Sequence, residues 1–143
     1  MEPGLPYDPR YLAGIVLFNR RDFFEAHEVW ESLWLSADVG ENRRFIQGLI
    51  QAAVAMHHLE TNNPRGAQKL FGTAQNYMAA YPDIWLGLNH PRFWKQMENY
   101  FAARLSLNAW SQPEGSEDRV PRLELDPPPV IWPNPDEFLE HED

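Results

Sequence analysis

Residues 45–60, FIQGLIQAAVAMHHLE, decide the fold. Wound at helical pitch, this stretch is apolar on nearly every side, which marks a helix surrounded by others rather than one lying on a surface. The helix is predicted over residues 43–61, and Gly48, Ala52 and Ala55 form a stripe of small residues on it that lets a neighbour approach closely. A surrounded helix needs companions, and the flanking sequence supplies them.

On the C-terminal side, Asn62-Asn63-Pro64 reads as an Asn in the left-handed conformation that ends a helix, an Asn N-cap, and a proline at the first helical position. The helix that follows turns Ala67, Leu70, Phe71, Ala74, Tyr77, Met78 and Tyr81 inward and stops at Pro82. On the N-terminal side, Asp22 with Glu25 three positions on has the form of a capping box. The helix it opens runs to about Leu35, with Phe23, Ala26, Trp30 and Leu33 on its apolar face and Trp34 beside them. Asp8-Pro9 opens a first helix carrying Tyr11, Leu12, Ile15, Val16 and Phe18 and ending near Asn19. After a loop holding Leu86, Gly87 and Leu88, Asn89-His90-Pro91 opens a fifth helix whose period is kept by Phe93 or Trp94, Met97, Phe101 and Leu105. The expected fold is all-α, an antiparallel helical bundle of about five helices.

Beyond Trp110 the character changes, because seven of the 13 prolines lie between Pro113 and Pro135 and no helix survives them. Leu123, Leu125, Val130, Ile131 and Trp132 nevertheless make this region too apolar for a solvated tail. Residues 1–110 are therefore read as the bundle domain and 111–143 as a Pro-rich, acidic, extended C-terminal strap partly packed on it, with only the last residues disordered.

At 143 residues the chain fits one domain, which buries roughly two-thirds of the surface its unfolded form exposes. It has no cysteine, so disulfides, thiolate nucleophiles and thiolate metal sites are all absent. The net charge of −9 belongs mostly to the C-terminal segment: residues 111–143 carry −8 and residues 1–110 only −1. A nearly neutral body lacks the basic stripe that phosphate neutralisation requires, so a nucleic-acid partner is not expected. The short apolar run from Tyr11 to Phe18, followed by Arg20 and Arg21, is neither a secretory signal nor a membrane span, and a cytoplasmic location is the expectation.

Three blocks carry a resemblance: FNRRDFFEAHEVWESLWL (18–35), FIQGLIQAAVAMHHLE (45–60) and NNPRGAQKL (62–70). In this order, with short spacers, they resemble the small all-helical bacterial and archaeal proteins of domain of unknown function family 309. The resemblance implies a compact helical bundle in which the His-x-x-x-Glu of the second helix faces the Gly-Leu-Ile-Gln of the third. It implies no reaction.

The polar residues on these two helices are the candidate site. His27 and Glu31 stand one turn apart on the flank that also holds Phe24 and Trp34. On the central helix Gln47, Gln51 and His58 share a stripe, with His57 about a third of a turn from His58. If the two helices pack antiparallel, His27, Glu31, Gln51 and Gln47 converge near the middle of the bundle. In one reading His27 donates to Glu31 and meets Gln51, closing a network that sets helix register. In a second, these groups line a pocket for a small organic ligand or a partner peptide, walled by Trp30 and Trp34. In a third, the chain is a metal-dependent hydrolase: His27-Glu28-x-x-Glu31 resembles the zincin pattern, with Glu31 in place of its second histidine and His57 or His58 as the remaining ligand. Against that third reading, Glu28 points about 100° away from the His27–Glu31 flank. The paired Glu-x-x-His pattern of di-iron bundles is absent, and Ser32, Ser36 and Thr73 stand in no recognisable triad. The sequence therefore favours a binding or scaffolding module, with no cofactor and no resident metal expected. Its partner would be a small molecule or a protein, with a homo-oligomer possible and Trp85 or Trp110 available as an exposed aromatic patch.

Overall fold

The computed structural model describes residues 7–105 and 120–139. The elements run α1 (Pro9–Asn19), α2 (Phe23–Trp34), a 3-10 turn (Ala37–Asn42), α3 (Arg43–Glu60), α4 (Pro64–Ala79), β1 (Ile84–Trp85), β2 (Leu88–Asn89), α5 (His90–Leu105) and a second 3-10 turn (Pro135–Phe138). The helical class and all five helices are those the sequence predicts.

Local chemistry sets most of the boundaries. The Asp8 carboxylate accepts the Arg10 backbone N–H at 2.8 Å, and Pro9 follows it into α1. Asn62 takes φ 63, and the Asn63 side-chain oxygen accepts the Gly66 N–H at 3.2 Å, so the predicted break before α4 is made as read. The capping box at Asp22 is not made. The Asp22 N–H already donates to the Leu17 carbonyl at 2.9 Å, which removes the donor a Glu25 side chain would have reached, and the Asp22 carboxylate makes no cap bond. Arg21, at φ 71, turns the corner between α1 and α2 instead.

The segment after Pro82 is more ordered than a loop. Strands β1 and β2 pair antiparallel, with Trp85 opposite Leu88, and Leu86 and Gly87 between them both take positive φ (50° and 76°), as a two-residue hairpin requires. A leucine at the first left-handed position hides this turn from a sequence reading. Trp85 is half-buried and donates its indole N–H to Asn42 Oδ1 at 2.8 Å, so it braces the hairpin against the end of the first 3-10 turn and forms no exposed patch.

Ring contacts close the bundle. Phe18 of α1 meets Phe23 at the start of α2 (centroids 4.9 Å apart) and Phe93 of α5 (5.7 Å). On α4, Phe71 meets Trp94 and Phe101 of α5 at 5.1 and 4.8 Å. Between α2 and α4 lies α3, with Phe45, Ile46, Leu49, Ala52, Ala53, Ala55 and Met56 all buried. Its small-residue stripe works as expected: a Cβ at Gly48 would stand 2.4 Å from Met78 Cγ and 3.0 Å from the Ala74 carbonyl oxygen, so α4 sits against bare backbone there. None of the described helices is long and apolar enough to cross a membrane.

Of the strap, Leu123 and Leu125 are buried, and Leu125 forms an isolated antiparallel bridge with Leu88. Farther along, Val130 and Ile131 are 80% and 77% exposed and Trp132 41%. Pro127, Pro128 and Pro129 have no N–H to continue a ladder, so the last backbone bond to the hairpin is the one Asp126 N–H gives to Gly87 O at 2.9 Å. Trp110, the boundary drawn at residues 110–111 and the last residues of the chain lie outside the described residues.

Candidate functional site

Two contacts fix how α2 and α3 face each other. At one end the Arg43 guanidinium lies 4.5 Å from the Trp34 ring; at the other the Phe24 ring lies 5.4 Å from the His57 ring. The helices are therefore antiparallel, and the face between them runs about 15 Å from Phe24 to Trp34 at 1.5 Å per residue. Phe24, His27, Glu31 and Trp34 border it on α2; Arg43, Gln47, Gln51 and His58 recur at helical spacing along α3.

The histidine end is aromatic. Phe24 is 47% exposed, and its ring lies 5.0 Å from that of His27. His27 Nδ1 lies 2.9 Å from the Phe24 carbonyl oxygen, which can only accept, so Nδ1 carries the proton and Nε2 is left as the ring's acceptor when it is neutral. His58 is fixed in the other sense. Because Asn63 Oδ1 accepts the Gly66 N–H, its amide nitrogen is the group facing His58 Nδ1 at 3.1 Å, which makes that ring nitrogen an acceptor.

The expected partnership of His27 with Glu31 is not formed: His27 is held by its own helix backbone, and Glu31 stands exposed. Gln47 and Gln51 are half-buried on the facing stripe. Trp30 belongs to the interior, fully buried with its indole N–H given to the Tyr11 carbonyl at 3.1 Å, and is no wall of this face. Among the described residues no three His, Asp or Glu side chains come together as a metal-binding group, so the ligand set of His27, Glu31 and His57 or His58 is not assembled.

Sequence reading gave no sign of two unmatched buried atoms. Among the described residues, Trp34 Nε1, a donor, and Gln51 Oε1, an acceptor, are buried without a hydrogen-bond partner, as is Tyr100 Oη in α5. Buried polar groups are nearly always paired, and leaving one unpaired costs about 1–3 kcal/mol. Two of the three fall on residues of the α2–α3 face.

Among the described residues, four cavities of about 250–540 Å³ lie elsewhere. A cavity of about 280 Å³ at the N-terminal end of α1 is lined by Tyr7, Asp8, Tyr11, Asp38, Asn42 and Leu86, among others. Arg10 bridges Asp8 at 2.9 Å and Asp38 at 3.3 Å beside it. Partial burial pushes the Asp8 carboxyl up, but the hydrogen bonds from the Arg10 side chain and backbone N–H, with the guanidinium charge, outweigh this and hold it below its ordinary value. Burial, helped by Tyr7, pushes the Tyr11 hydroxyl well above its ordinary value; it donates to the Leu86 carbonyl at 2.9 Å.

Comparison with known proteins bears on residues 11–70, which match the family described as "Domain of unknown function (DUF309)". The matched stretch begins in α1 and ends within α4, and it contains the whole α2–α3 face. Of two similar proteins, "Uncharacterized protein YpuF" of Bacillus subtilis (strain 168) is 31% identical over 109 residues, which is 73% of this chain and 62% of that protein. An "Uncharacterized protein" of Aquifex aeolicus (strain VF5) is 35% identical over 72 residues, 50% of this chain and 22% of that protein. The chain thus spans less than two-thirds of the length of either relative. Over residues 11–70, the chain is similar to the domain of unknown function family 309.

Proposed function

We propose that this domain is a binding module whose working surface is the α2–α3 face, and that its occupant is a segment of a partner polypeptide. The observation that carries the reading is the pair of unmatched atoms, Trp34 Nε1 and Gln51 Oε1. Both atoms are buried, so an occupant reaches them only when Arg43 and the Gln51 side chain turn aside; one then offers a donor and the other an acceptor, which is what a peptide backbone needs, since each of its units presents one of each. The two are spread out: eight residues of α3, about 12 Å, separate Arg43, which covers Trp34, from Gln51. An occupant reaching both has to be longer than a single amide. The four cavities of about 250–540 Å³ among the described residues are lined by none of His27, Glu31, Trp34, Gln47 and Gln51, and an extended polypeptide, unlike a small molecule, needs no enclosure. Exposed Phe24 supplies an apolar anchor at one end.

The test places a photo-crosslinking amino acid at Gln47 in the full chain, irradiates cells that express it, and compares it with the same amino acid placed at Asn76, an exposed position on α4. A dominant crosslinked species at position 47 that weakens when Trp34→Phe and Gln51→Leu are introduced is expected. Equal crosslinking at the two positions, or crosslinking indifferent to those substitutions, overturns the proposal.

A further inference from the structure

The strap between Pro121 and Asp126 is held as a bound peptide is held. Its burial alternates strictly: Pro121, Leu123 and Leu125 point inward, while Arg122, Glu124 and Asp126 are exposed. The contacts that position it fall on its backbone. Asn19 of α1 reads both polar groups of one residue, its Nδ2 donating to Leu123 O and its Oδ1 accepting from Leu123 N–H, each at 2.9 Å. Gln96 of α5 accepts the Arg122 N–H at 3.0 Å, and the hairpin accepts the Asp126 N–H at Gly87 O. Among the described residues, the side chains of Arg122 and Glu124 make no hydrogen bond or ion pair.

Recognition of this form needs an extended backbone and apolar side chains at alternate positions, and little else of the sequence. The strap also leaves space around itself. Cavities of about 250 Å³, toward Leu88, Arg92 and Gln96, and about 540 Å³, toward Val16, Arg20 and Trp132, flank it on its two sides. These depressions stay open beside the seated segment.

We infer that the groove formed by α1, α5 and the β hairpin is a recognition site for extended polypeptide, filled in cis by residues 121–126. The partner it fits is a chain segment with apolar residues at alternate positions, larger than leucine to use the flanking space, and with free N–H groups where Arg122 and Leu123 supply them. The strap then acts as a tethered competitor that such a partner has to displace. This groove shares no bordering residue with the α2–α3 face, and the inference stands without it.

The experiment uses the full chain with Leu123→Asp and Leu125→Asp, which unseats the strap, and a fluorescein-labelled peptide of residues 120–126, VPRLELD. Saturable binding to the double variant, at least tenfold tighter than to the unsubstituted chain and lost when Asn19→Ala is added, is expected. No binding to a double variant whose helical circular dichroism and melting show it folded, or equal binding to both chains, overturns the inference. Should the double variant fail to fold, hydrogen exchange in the unsubstituted chain decides. The amides of Arg122, Leu123 and Asp126 are expected to exchange at least tenfold faster than the slowest amides of α3. Exchange at the rate of those core amides would mean the strap leaves only on global unfolding, and the groove is never free.

Discussion

A Cβ placed on Gly14 would stand 2.0 Å from Trp30 Nε1, the atom that donates to the Tyr11 carbonyl. The absent side chain at 14 is the seat of the indole, and the contact ties α1 to α2 at the most enclosed tryptophan among the described residues. Gly14→Ala is therefore expected to destabilise the fold by about 1–3 kcal/mol, despite alanine's better helix propensity, because an indole buried on all sides has no room to retreat. Urea denaturation checks it; an unchanged midpoint would mean that Trp30 can repack.

Removing an unmatched buried atom should act in the opposite direction. Gln51→Leu and Trp34→Phe each delete an unpaired polar atom and keep most of the apolar surface, so each is expected to leave stability unchanged or to raise it by up to about 1 kcal/mol. The same variants are expected to lose the crosslink described above. A loss of stability in both would show that these atoms serve packing, and the proposed face would lose its support.

Asn19→Asp tests the grip on the strap with a proton as the switch. A carboxylate still accepts the Leu123 N–H but has nothing to donate to the Leu123 carbonyl, which it would repel. At neutral pH the variant is expected to lose about 1–2 kcal/mol and to exchange the Arg122 and Leu123 amides faster, with partial recovery as acid restores a donor. Exchange rates equal to those of the unsubstituted chain would show that Asn19 is not what holds the strap.

Acid stability should report on Asp8. A carboxyl whose folded value lies below its unfolded one stabilises the fold above the unfolded value, about 4, and loses that contribution as pH falls through the lowered folded value. Asp8→Asn keeps an oxygen to cap α1 but gives up the charge that faces Arg10. The variant is expected to show a flatter decline in melting temperature below pH 4. An unchanged profile would assign the acid sensitivity to other carboxylates.

The helices were legible from their apolar periodicity and, at some ends, from local chemistry, most plainly at Asn62-Asn63-Pro64, where backbone conformation, cap and proline agree. What escaped the sequence is non-local. The capping box at Asp22 failed because a carbonyl five residues back, that of Leu17, took its donor. The His27–Glu31 pair failed for a similar reason: helical spacing put the two in reach, but the Phe24 carbonyl lay closer to the ring nitrogen. The hairpin was not legible, since two-residue strands are too short to alternate. The antiparallel direction of α2 and α3 was read, but Trp30, expected to wall their shared face, is turned into the interior. The unmatched state of Trp34 and Gln51 is a property of the assembled packing and has no local signature.

Adjacent residues at the start of α3 reach opposite neighbours: Arg43 covers Trp34 of α2 and Arg44 lies 5.2 Å from the Tyr77 ring of α4. Their side chains leave the helix about 100° apart, so the pair sets the rotation of α3 between its two flanks. One residue inserted between Arg44 and Phe45 would leave the arginines in place and turn the remainder of the helix by that angle. Gln47 and Gln51 would then arrive where Gly48 and Ala52 now lie, and the amide of Gln47 would be driven against Met78. Within these few residues the reading frame of the helix is itself a structural element.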